Sequence, residues 1–361
     1  MHFPFTMRGM VLLDMSSPLL IQVLSSENRK GPDNIPRYCG RNAFDPYWTC
    51  MFQTEPASPS SSLHLNERIV GGVQSQVGQW PWIVSLMFRE SPEEVLQRVV
   101  EAGGKAIIHT NPDGSQMFHL CAGTLIHPEW IVTTAHCFFP TEAYAHLTTD
   151  PARWTARVGE FDMLDEQVPH FDVNLELIFP HPEYNGTTIA NDIALIKLAE
   201  QVQLGPNVNI ACLPKASNGD LLGDCCIAAG WGYTQEGSTT ISSVLRHVAL
   251  SVFSRKHCLE AYTKLYELYG PVIPTFQETM ICAGDPDGGK DTCNVRCHLE
   301  FDSGGPLACQ VDGQWYANAL TSFGWECGNP STPGVYTDVS GYVTWIQSLI
   351  PDLATRPNGF R

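Results

Sequence analysis

The segment DTCNVRCHLEFDSGGPL, residues 291–307, contains the serine around which the rest of the sequence is interpreted. Ser303 lies in the run Asp-Ser-Gly-Gly-Pro at 302–306, and the glycines and proline after it predict a tight turn. A serine hydroxyl is a poor nucleophile until a neighbouring base removes its proton. A reactive Ser303 therefore requires a histidine elsewhere in the chain and a carboxylate that orients this histidine.

Two upstream motifs supply both groups. Thr-Ala-His-Cys at 134–137 contains His136, and Asn-Asp-Ile-Ala-Leu at 191–195 contains Asp192. Each residue alone has an ordinary interpretation, as a surface histidine or as a polar residue in a turn. Three motifs with matching flanks, in the order His, Asp, Ser, favour a catalytic triad instead.

A fourth motif, Arg-Ile-Val-Gly-Gly at 68–72, completes a resemblance to a known family. Together the motifs resemble those of trypsin/chymotrypsin-like serine endopeptidases, over roughly residues 69–350. The resemblance implies an all-β fold of two six-stranded antiparallel β-barrels with a C-terminal helix. His136 and Asp192 would belong to the first barrel and Ser303 to the second, with the active site in the cleft between them.

The hydrophobic pattern points to the same fold class. Short segments rich in β-branched and aromatic residues alternate with turn residues, which predicts many short strands. The predicted strands are 82–88, 123–126, 130–134, 193–198 and 227–231. Residues 342–350 have apolar side chains at helical spacing and predict the C-terminal helix, with Trp345, Ile346, Leu349 and Ile350 on one face.

The resemblance also assigns chemical roles. His136 would accept the Ser303 proton and return it to the leaving amine, while Asp192 orients His136 and stabilises its cation. The backbone N–H groups of Ser303 and Phe301 would form the oxyanion hole. No cofactor and no metal ion is expected.

A substrate pocket for Arg or Lys is implied by Asp291, which matches the position at the base of the pocket in trypsin-like members. Ser322-Phe323-Gly324 resembles one pocket wall, and Gly324 and Gly334 would leave room for a long basic side chain. The alternative for Asp291 is a surface carboxylate beside a turn. The expected partners are proteins or peptides with Arg or Lys before the cut, an activating protease and protein inhibitors.

The bond between Arg68 and Ile69 resembles the activation site of this family. Cleavage there would free the Ile69 amino group, which pairs with the aspartate before the serine, here Asp302. Residues 1–68 would then be a leader and propeptide, 69–350 the peptidase domain and 351–361 a tail. The Pro/Ser-rich run 55–62 leaves the activation bond exposed to proteases.

The chain contains 13 cysteines, which favours disulfides and a secreted protein over a cytosolic one. The resemblance implies the pairs Cys121–Cys137, Cys226–Cys309, Cys258–Cys282 and Cys293–Cys327. Cys212 would bond either Cys39 or Cys50, which would tether the propeptide after cleavage. Cys225, Cys297 and one N-terminal cysteine have no implied partner.

Charge and hydropathy exclude other classes. The formal net charge of −17 argues against nucleic acid as a partner, because phosphate binding requires clusters of Lys and Arg. The sequence contains no run of 18 apolar residues, so no transmembrane helix is predicted. Residues 10–24 are apolar, but Asp14 and Pro18 make them a weak signal-peptide pattern.

Three surface features carry weaker predictions. Residues 88–121 contain a long insertion, with a short helix predicted at 92–102, which either restricts substrates at the cleft rim or is a tolerated surface loop. Asn185-Gly186-Thr187 is a glycosylation sequon beside the cleft. Glu160, Asp162, Asp165 and Glu166 predict a solvated acidic loop rather than a Ca²⁺ site.

The sequence departs from the family immediately before the serine. The family usually has two residues between the cysteine and the aspartate of this loop, whereas 294–301 intervene here and Phe301 replaces the oxyanion glycine. Loss of one oxyanion donor lowers turnover roughly 10²–10³-fold. We therefore expect an impaired chain and, if 295–301 is a local replacement by splicing or a gene-model error, an active one when a single Gly replaces it. The rival is a pseudoprotease, a binding or regulatory protein with the same fold.

Overall fold

The structure is a computed structural model of the chain. It describes residues 39–41, 72–95, 107–141, 144–165, 167–215, 225–233, 240–289, 301–311, 313–325, 328–350 and 353. Several predicted positions lie outside these ranges, namely Cys50, Arg68, Ile69, Glu166, Asp291, Cys293, Cys297, Cys327, the leader 1–38 and most of the tail. The side chain of Cys225 is also outside the description.

The first barrel is formed by strands from the N-terminal half of the peptidase region. Its strands are β2 (Ile83–Glu90), β3 (Ile108–Thr110), β4 (Gln116–His127), β5 (Trp130–Thr133), β6 (Trp154–Val158), β7 (Phe171–Pro180) and β8 (Ala194–Leu198). The neighbours run β2-β6-β7-β8-β5-β4, and β2 pairs back with β4, so six antiparallel strands close on themselves. The short strand β3 extends the sheet beyond β4.

The second barrel repeats this closure. Its strands are β1 (Val73–Gln74), β9 (Cys225–Gly230), β10 (Arg246–Val252), β11 (Met280–Gly284), β12 (Pro306–Val311), β13 (Gln314–Phe323) and β14 (Gly334–Asp338). β9 pairs with both β10 and β12, which closes the ring β9-β10-β11-β14-β13-β12, and β1 adds to β10. The predicted all-β fold of two six-stranded antiparallel barrels is therefore confirmed.

Strand positions follow the hydrophobic pattern. In β7, Val173 and Leu175 are buried while Asp172, Asn174 and Glu176 are exposed, the period of two that puts one face of a strand in the core. β2, β4, β5, β8 and β9 contain or overlap the five strands predicted from the sequence.

In the described part of the chain, two α-helices longer than the helical turn at 92–95 stand outside the barrels. α1 (Arg255–Tyr269) begins after Ser254, whose hydroxyl accepts a hydrogen bond from the His257 N–H, and it was not predicted. Its buried residues Cys258, Ala261, Tyr262 and Leu265 recur at helical spacing. α2 (Val343–Leu349) agrees with the predicted C-terminal helix, and Ile346 and Ile350 are buried on its predicted apolar face. Single 3-10 turns occupy His136–Phe138, Pro151–Arg153, Gly270–Val272 and Val339–Tyr342.

Residues 39–41 are attached to the rest of the described chain by a disulfide and by backbone hydrogen bonds. Cys39 bonds Cys212, which selects Cys39 over Cys50 as the partner. The Gly40 N–H donates to the Ile210 carbonyl at 2.7 Å, and the Trp315 N–H donates to the Gly40 carbonyl at 2.8 Å. Gly40 has φ +66°, and a Cβ there would lie 2.1 Å from the Trp315 oxygen, so only glycine fits.

Three further disulfides join the pairs that the resemblance implies. They are Cys121–Cys137 in the first barrel, Cys226–Cys309 between β9 and β12, and Cys258–Cys282 between α1 and β11. The pair Cys293–Cys327 lies outside the described residues.

The described parts of the insertion between 88 and 121 contain regular secondary structure. β2 continues to Glu90, β4 begins at Gln116, and β3 pairs with β4. Residues 92–95 form a helical turn where the short helix was predicted, and 96–106 lie outside the description. Glu94 accepts from the Ser91 N–H at 2.7 Å and pairs with Arg153 at 2.7 Å, which fastens the start of the insertion to the first barrel.

The predicted solvated acidic loop is wrong for Glu160. Its side chain is buried, accepts from the Phe161 N–H at 2.8 Å and lies 3.4 Å from the Arg157 guanidinium. A buried carboxylate needs such partners to offset its desolvation. Glu160 is therefore buried beside Arg157, whereas Asp165 is exposed.

Candidate active site

His136 and Asp192 come together because of strand pairing in the first barrel. Thr133 at the end of β5 pairs with Ala194 at the start of β8 in an antiparallel ladder. The residues just after β5 and just before β8 therefore lie at the same end of the barrel. His136 begins the 3-10 turn there, and Asp192 precedes β8.

Two hydrogen bonds fix the orientation of His136. The His136 backbone N–H donates to Asp192 Oδ1 at 2.9 Å, and His136 Nδ1 lies 2.7 Å from Asp192 Oδ2. Because a carboxylate only accepts, the ring proton resides on Nδ1, which leaves Nε2 able to take up a proton. The Asp192 side chain is 1% exposed, so its contacts are shielded from water.

The second barrel completes the surroundings of Asp192. Ser322 in β13 donates its hydroxyl to Asp192 Oδ2 at 2.6 Å, and Thr337 in β14 donates its hydroxyl to the Asp192 carbonyl at 2.8 Å. The sequence assigned Ser322 to the pocket wall, and its bond to Asp192 was not foreseen. The buried carboxylate thus has donors from both barrels, which fix its position.

Ser303 is held in a turn by contacts to both barrels. Its carbonyl accepts from the Ala122 N–H of β4 at 2.8 Å, and the Gly304 N–H donates to the Thr321 carbonyl of β13 at 2.9 Å. Gly304 has φ +78°, and a Cβ there would lie 2.0 Å from Thr133 Oγ1. The glycine after the serine is therefore required where the two barrels meet.

His136 and Ser303 line one cavity of about 250 Å³. Most of its other lining side chains are apolar or aromatic, namely Phe139, Pro140, Tyr184, Ile189, Val272, Pro274 and Phe323. Ile189 has φ 54°, which is rare for a β-branched residue and indicates local strain beside Asp192. The cavity therefore places apolar side chains next to Ser303 and His136.

Comparison with known proteins agrees with this geometry. The sequence model described as Trypsin matches residues 69–346. The chain belongs to the trypsin family. It is 32% identical over 298 residues to transmembrane protease serine 7 of Mus musculus and 31% identical over 298 residues to that of Rattus norvegicus. Each alignment covers 81% of this chain but only 29% and 30% of those relatives, so the chain spans about a third of their length.

Most of the chain is thus a trypsin-family domain, and its disulfides agree with an extracellular setting. Within the described ranges, no helix is long and apolar enough to cross a membrane. Cys121, His136 and Cys137 form the one close group of potential metal ligands among the described residues. The two sulfurs of this group are bonded to each other at 2.08 Å, so neither is a thiolate ligand.

Asp302, the residue that the trypsin-family resemblance pairs with Ile69, is fully buried behind Ser303. Its Oδ1 accepts from the Gly232 N–H at 2.7 Å. Burial raises the pKa of Asp302 to about 6, although hydrogen bonds from the Gly232 and Trp231 backbones act in the opposite direction. Oδ2 has no hydrogen-bond partner among the described residues, which leaves one oxygen available to a cation.

Phe301 lies in the core rather than in the cavity. Its side chain is 4% exposed and packs against His119 and Tyr233 in a core cluster that contains residues of both barrels. It does not appear among the cavity-lining residues. The replacement of the trypsin-family glycine therefore does not place a ring in the described part of the cleft.

The remaining predicted site residues have mixed positions. Ser322 and Phe323 line the cavity, whereas Gly324 follows β13 and Gly334 begins β14 without lining it.

Asn185 is exposed, and its neighbours Gly186 and Thr187 line the cavity, which puts the sequon at the rim. No described residue between 88 and 121 lines the cavity. Phe139, Tyr184 and Val272 were missed because nothing in their local sequence marks them.

Proposed function

We propose that this protein is an extracellular serine endopeptidase in which Ser303, His136 and Asp192 form the catalytic triad. The observation that carries the proposal is the shared cavity of Ser303 and His136, with His136 Nδ1 held 2.7 Å from a buried Asp192. The arrangement places a nucleophile and a base in one cavity and bonds the base to an orienting carboxylate.

The chemical step follows from the tautomer of His136. Ser303 Oγ attacks the carbonyl carbon of the scissile amide as His136 Nε2 takes its proton. The tetrahedral intermediate collapses when the C–N bond breaks, and His136 returns that proton to the leaving amine. Water then cleaves the acyl-enzyme by the same route, which regenerates Ser303. The N–H groups of Ser303 and Phe301 are the proposed donors to the oxyanion.

The proposed cleavage site follows Arg or Lys. This part rests on Asp291 and on the Ser322-Phe323-Gly324 sequence, with Gly334 as a second small residue of the pocket. A carboxylate in a pocket binds guanidinium or ammonium through charge-assisted hydrogen bonds. Arginyl, lysyl and phenylalanyl amide substrates test it, and preference for the phenylalanyl substrate would contradict the pocket assignment. An Asp291→Ser variant should lose the basic preference while hydrolysing apolar substrates at a residual rate.

Activation is proposed to require cleavage between Arg68 and Ile69. The new amino group would pair with Asp302, whose buried Oδ2 lacks a described partner. The Cys39–Cys212 bridge would keep the propeptide attached as a light chain. An Arg68→Gln variant should resist trypsin at this bond, and the active form should begin at Ile69. Full activity with the bond intact would refute this route.

The extracellular setting is proposed from four disulfides among the described cysteines. We propose secretion, a glycan at Asn185, and protein inhibitors and an activating protease as partners. The relatives named transmembrane proteases make membrane attachment the direct alternative. Expression in mammalian cells, with assay of medium and membrane fractions before and after glycosidase treatment, distinguishes these outcomes.

A second candidate function is favoured by residues 294–301, which lengthen the loop before the serine. A pseudoprotease, or a splice form of an active enzyme, would bind partners without turnover. The deciding experiment cleaves the chain after Arg68 and titrates it with a serine-reactive phosphonate, with Ser303→Ala as the control. Stoichiometric labelling of Ser303 supports the enzyme, and its absence supports the pseudoprotease. If labelling returns when a single Gly replaces 295–301, the splice-form hypothesis is favoured.

A further inference from the structure

Phe301 makes two kinds of contact with its surroundings, one through its ring and one through its backbone. The ring lies 6.1 Å from the His119 ring at an interplanar angle of 27° and 5.6 Å from the Tyr233 ring at 81°. The Phe301 carbonyl lies 2.6 Å from His119 Nε2. His119 is completely buried in β4, so both contacts are shielded from water.

The protonation of His119 follows from its partners. A carbonyl oxygen only accepts, so His119 Nε2 carries the proton and donates it to Phe301. His119 Nδ1 is then an acceptor, and the Ser85 hydroxyl at 2.8 Å donates to it. Burial lowers the pKa of His119 to about 4, which keeps the ring neutral and this tautomer fixed at neutral pH.

These contacts are the first of a series of hydrogen bonds that anchors residues 301–304, which include Ser303. Asp302 accepts from Gly232, the Ser303 carbonyl accepts from Ala122, and the Gly304 N–H donates to Thr321. Four consecutive residues are thus bound to the body of the protein. Phe301 is the first of them, and it separates residues 290–300 from the serine.

We propose that the Phe301 side chain is a positioning residue for Ser303, which fixes the peptide after residue 301 by holding its carbonyl against His119. The inference rests on the proposed function. A glycine has no ring to bury and gains backbone freedom, so glycine at 301 alone would loosen this attachment. The loop before the serine is longer here than in the family. The Phe301 ring anchors the end of this loop at the position where the family has glycine. Replacing Phe301 by glycine, the residue of the family, should therefore lower the activity of this chain.

The test compares Phe301→Gly and Phe301→Leu with the unmodified chain, all cleaved after Arg68. Phe171→Gly is the matched control, because Phe171 is 60% exposed on β7. We expect kcat per titrated site on an arginyl amide to fall about 10–100-fold in Phe301→Gly, since misplacement of a reacting group by about 1 Å costs roughly 10²-fold. KM should change less than about threefold, because the proposal leaves the substrate pocket intact. Phe301→Leu should be intermediate, because it keeps apolar volume without ring stacking.

Normalisation to titrated sites removes the effect of misfolded protein. Equal or higher kcat in Phe301→Gly would overturn the proposal. A second readout is the exchange-protected ring N–H resonance of His119, expected in the unmodified chain and lost in Phe301→Gly. If the unmodified chain has no titratable serine, the proposed function fails, and this resonance still decides the inference. An unchanged resonance in Phe301→Gly would then refute it.

Discussion

Asp302 predicts a pH dependence of stability opposite to that of a typical ion-paired carboxylate. The side chain is fully buried, and desolvation raises its pKa from 3.8 to about 6. In the uncleaved chain the Ile69 amino group is part of a peptide bond and has no charge. The carboxylate therefore lacks the cation that the proposed activation would supply.

The sign and size of this pH dependence of stability follow from proton linkage. Between pH 4 and 6 the folded protein holds a proton on Asp302 that the unfolded chain has released, so stability falls as pH rises. The penalty is complete above pH 6 and amounts to about 3 kcal/mol, from a shift of about two units at roughly 1.4 kcal/mol each. About half of it, ~1–2 kcal/mol, develops between pH 5.0 and 7.5.

Thermal unfolding of the uncleaved chain measures this effect. The comparison is Asp302→Asn against the parent, both with Ser303→Ala to prevent autolysis. The Tm difference between Asp302→Asn and the parent should grow by about 2–4 °C from pH 5.0 to pH 7.5, given the entropy of unfolding of a domain of this size. The exposed carboxylate variant Asp165→Asn is the control and should follow the parent at both pH values.

Cleavage after Arg68 should reverse the sign. Once the Ile69 ammonium reaches Asp302, removing the carboxylate leaves a buried charge unpaired, at a cost of ~3–5 kcal/mol. Asp302→Asn should then be less stable than the parent at both pH values. Parallel pH profiles for parent and variant in the uncleaved chain would refute the burial argument. An unchanged sign after cleavage would refute the ion pair with Ile69.

Three further predictions concern the site and its tether. Asp192→Asn should lower kcat about 10⁴-fold with little change in KM, measured on an arginyl amide, because an amide cannot accept from both His136 donors. Ser322→Ala should lower kcat about tenfold in the same assay, since a hydrogen bond to a charged group contributes roughly 1.5–3 kcal/mol. Gly40→Ala should impair formation of the Cys39–Cys212 bridge, because its Cβ would meet Trp315, and non-reducing gels of the cleaved protein should show a released propeptide.

The elements that were predictable from sequence have local signals. The strands alternate β-branched and apolar residues between turns, and β5 and β8 were located within one residue at each end. Helix α2 has its apolar face at spacings visible in the sequence. Helix α1 has an equally readable face, from Cys258 to Leu265, and could have been found by the same periodicity.

What escaped prediction depends on residues far apart in the chain. Ser322 and Asp192 are 130 positions apart, and their hydrogen bond exists because strands of both barrels meet at the cleft. Glu160 lies in an acidic run, which suggested that its side chain is solvated. In the structure this side chain is buried and paired with Arg157. Burial of a charged group is a tertiary property, and local composition carries little information about it.

The expectation of impaired catalysis was also drawn from spacing along the chain. It rested on Phe301 in place of the oxyanion glycine, on a loop longer than the family's, and it stays a prediction. The described contacts start at Phe301, after the added residues, and continue without interruption to Gly304. Because β4 of the first barrel and β13 of the second hold this segment, its geometry depends on barrel closure more than on loop length. We therefore expect changes in loop length that end at Phe301 to leave Ser303 in place, as long as the Phe301 ring keeps its contacts with His119 and Tyr233.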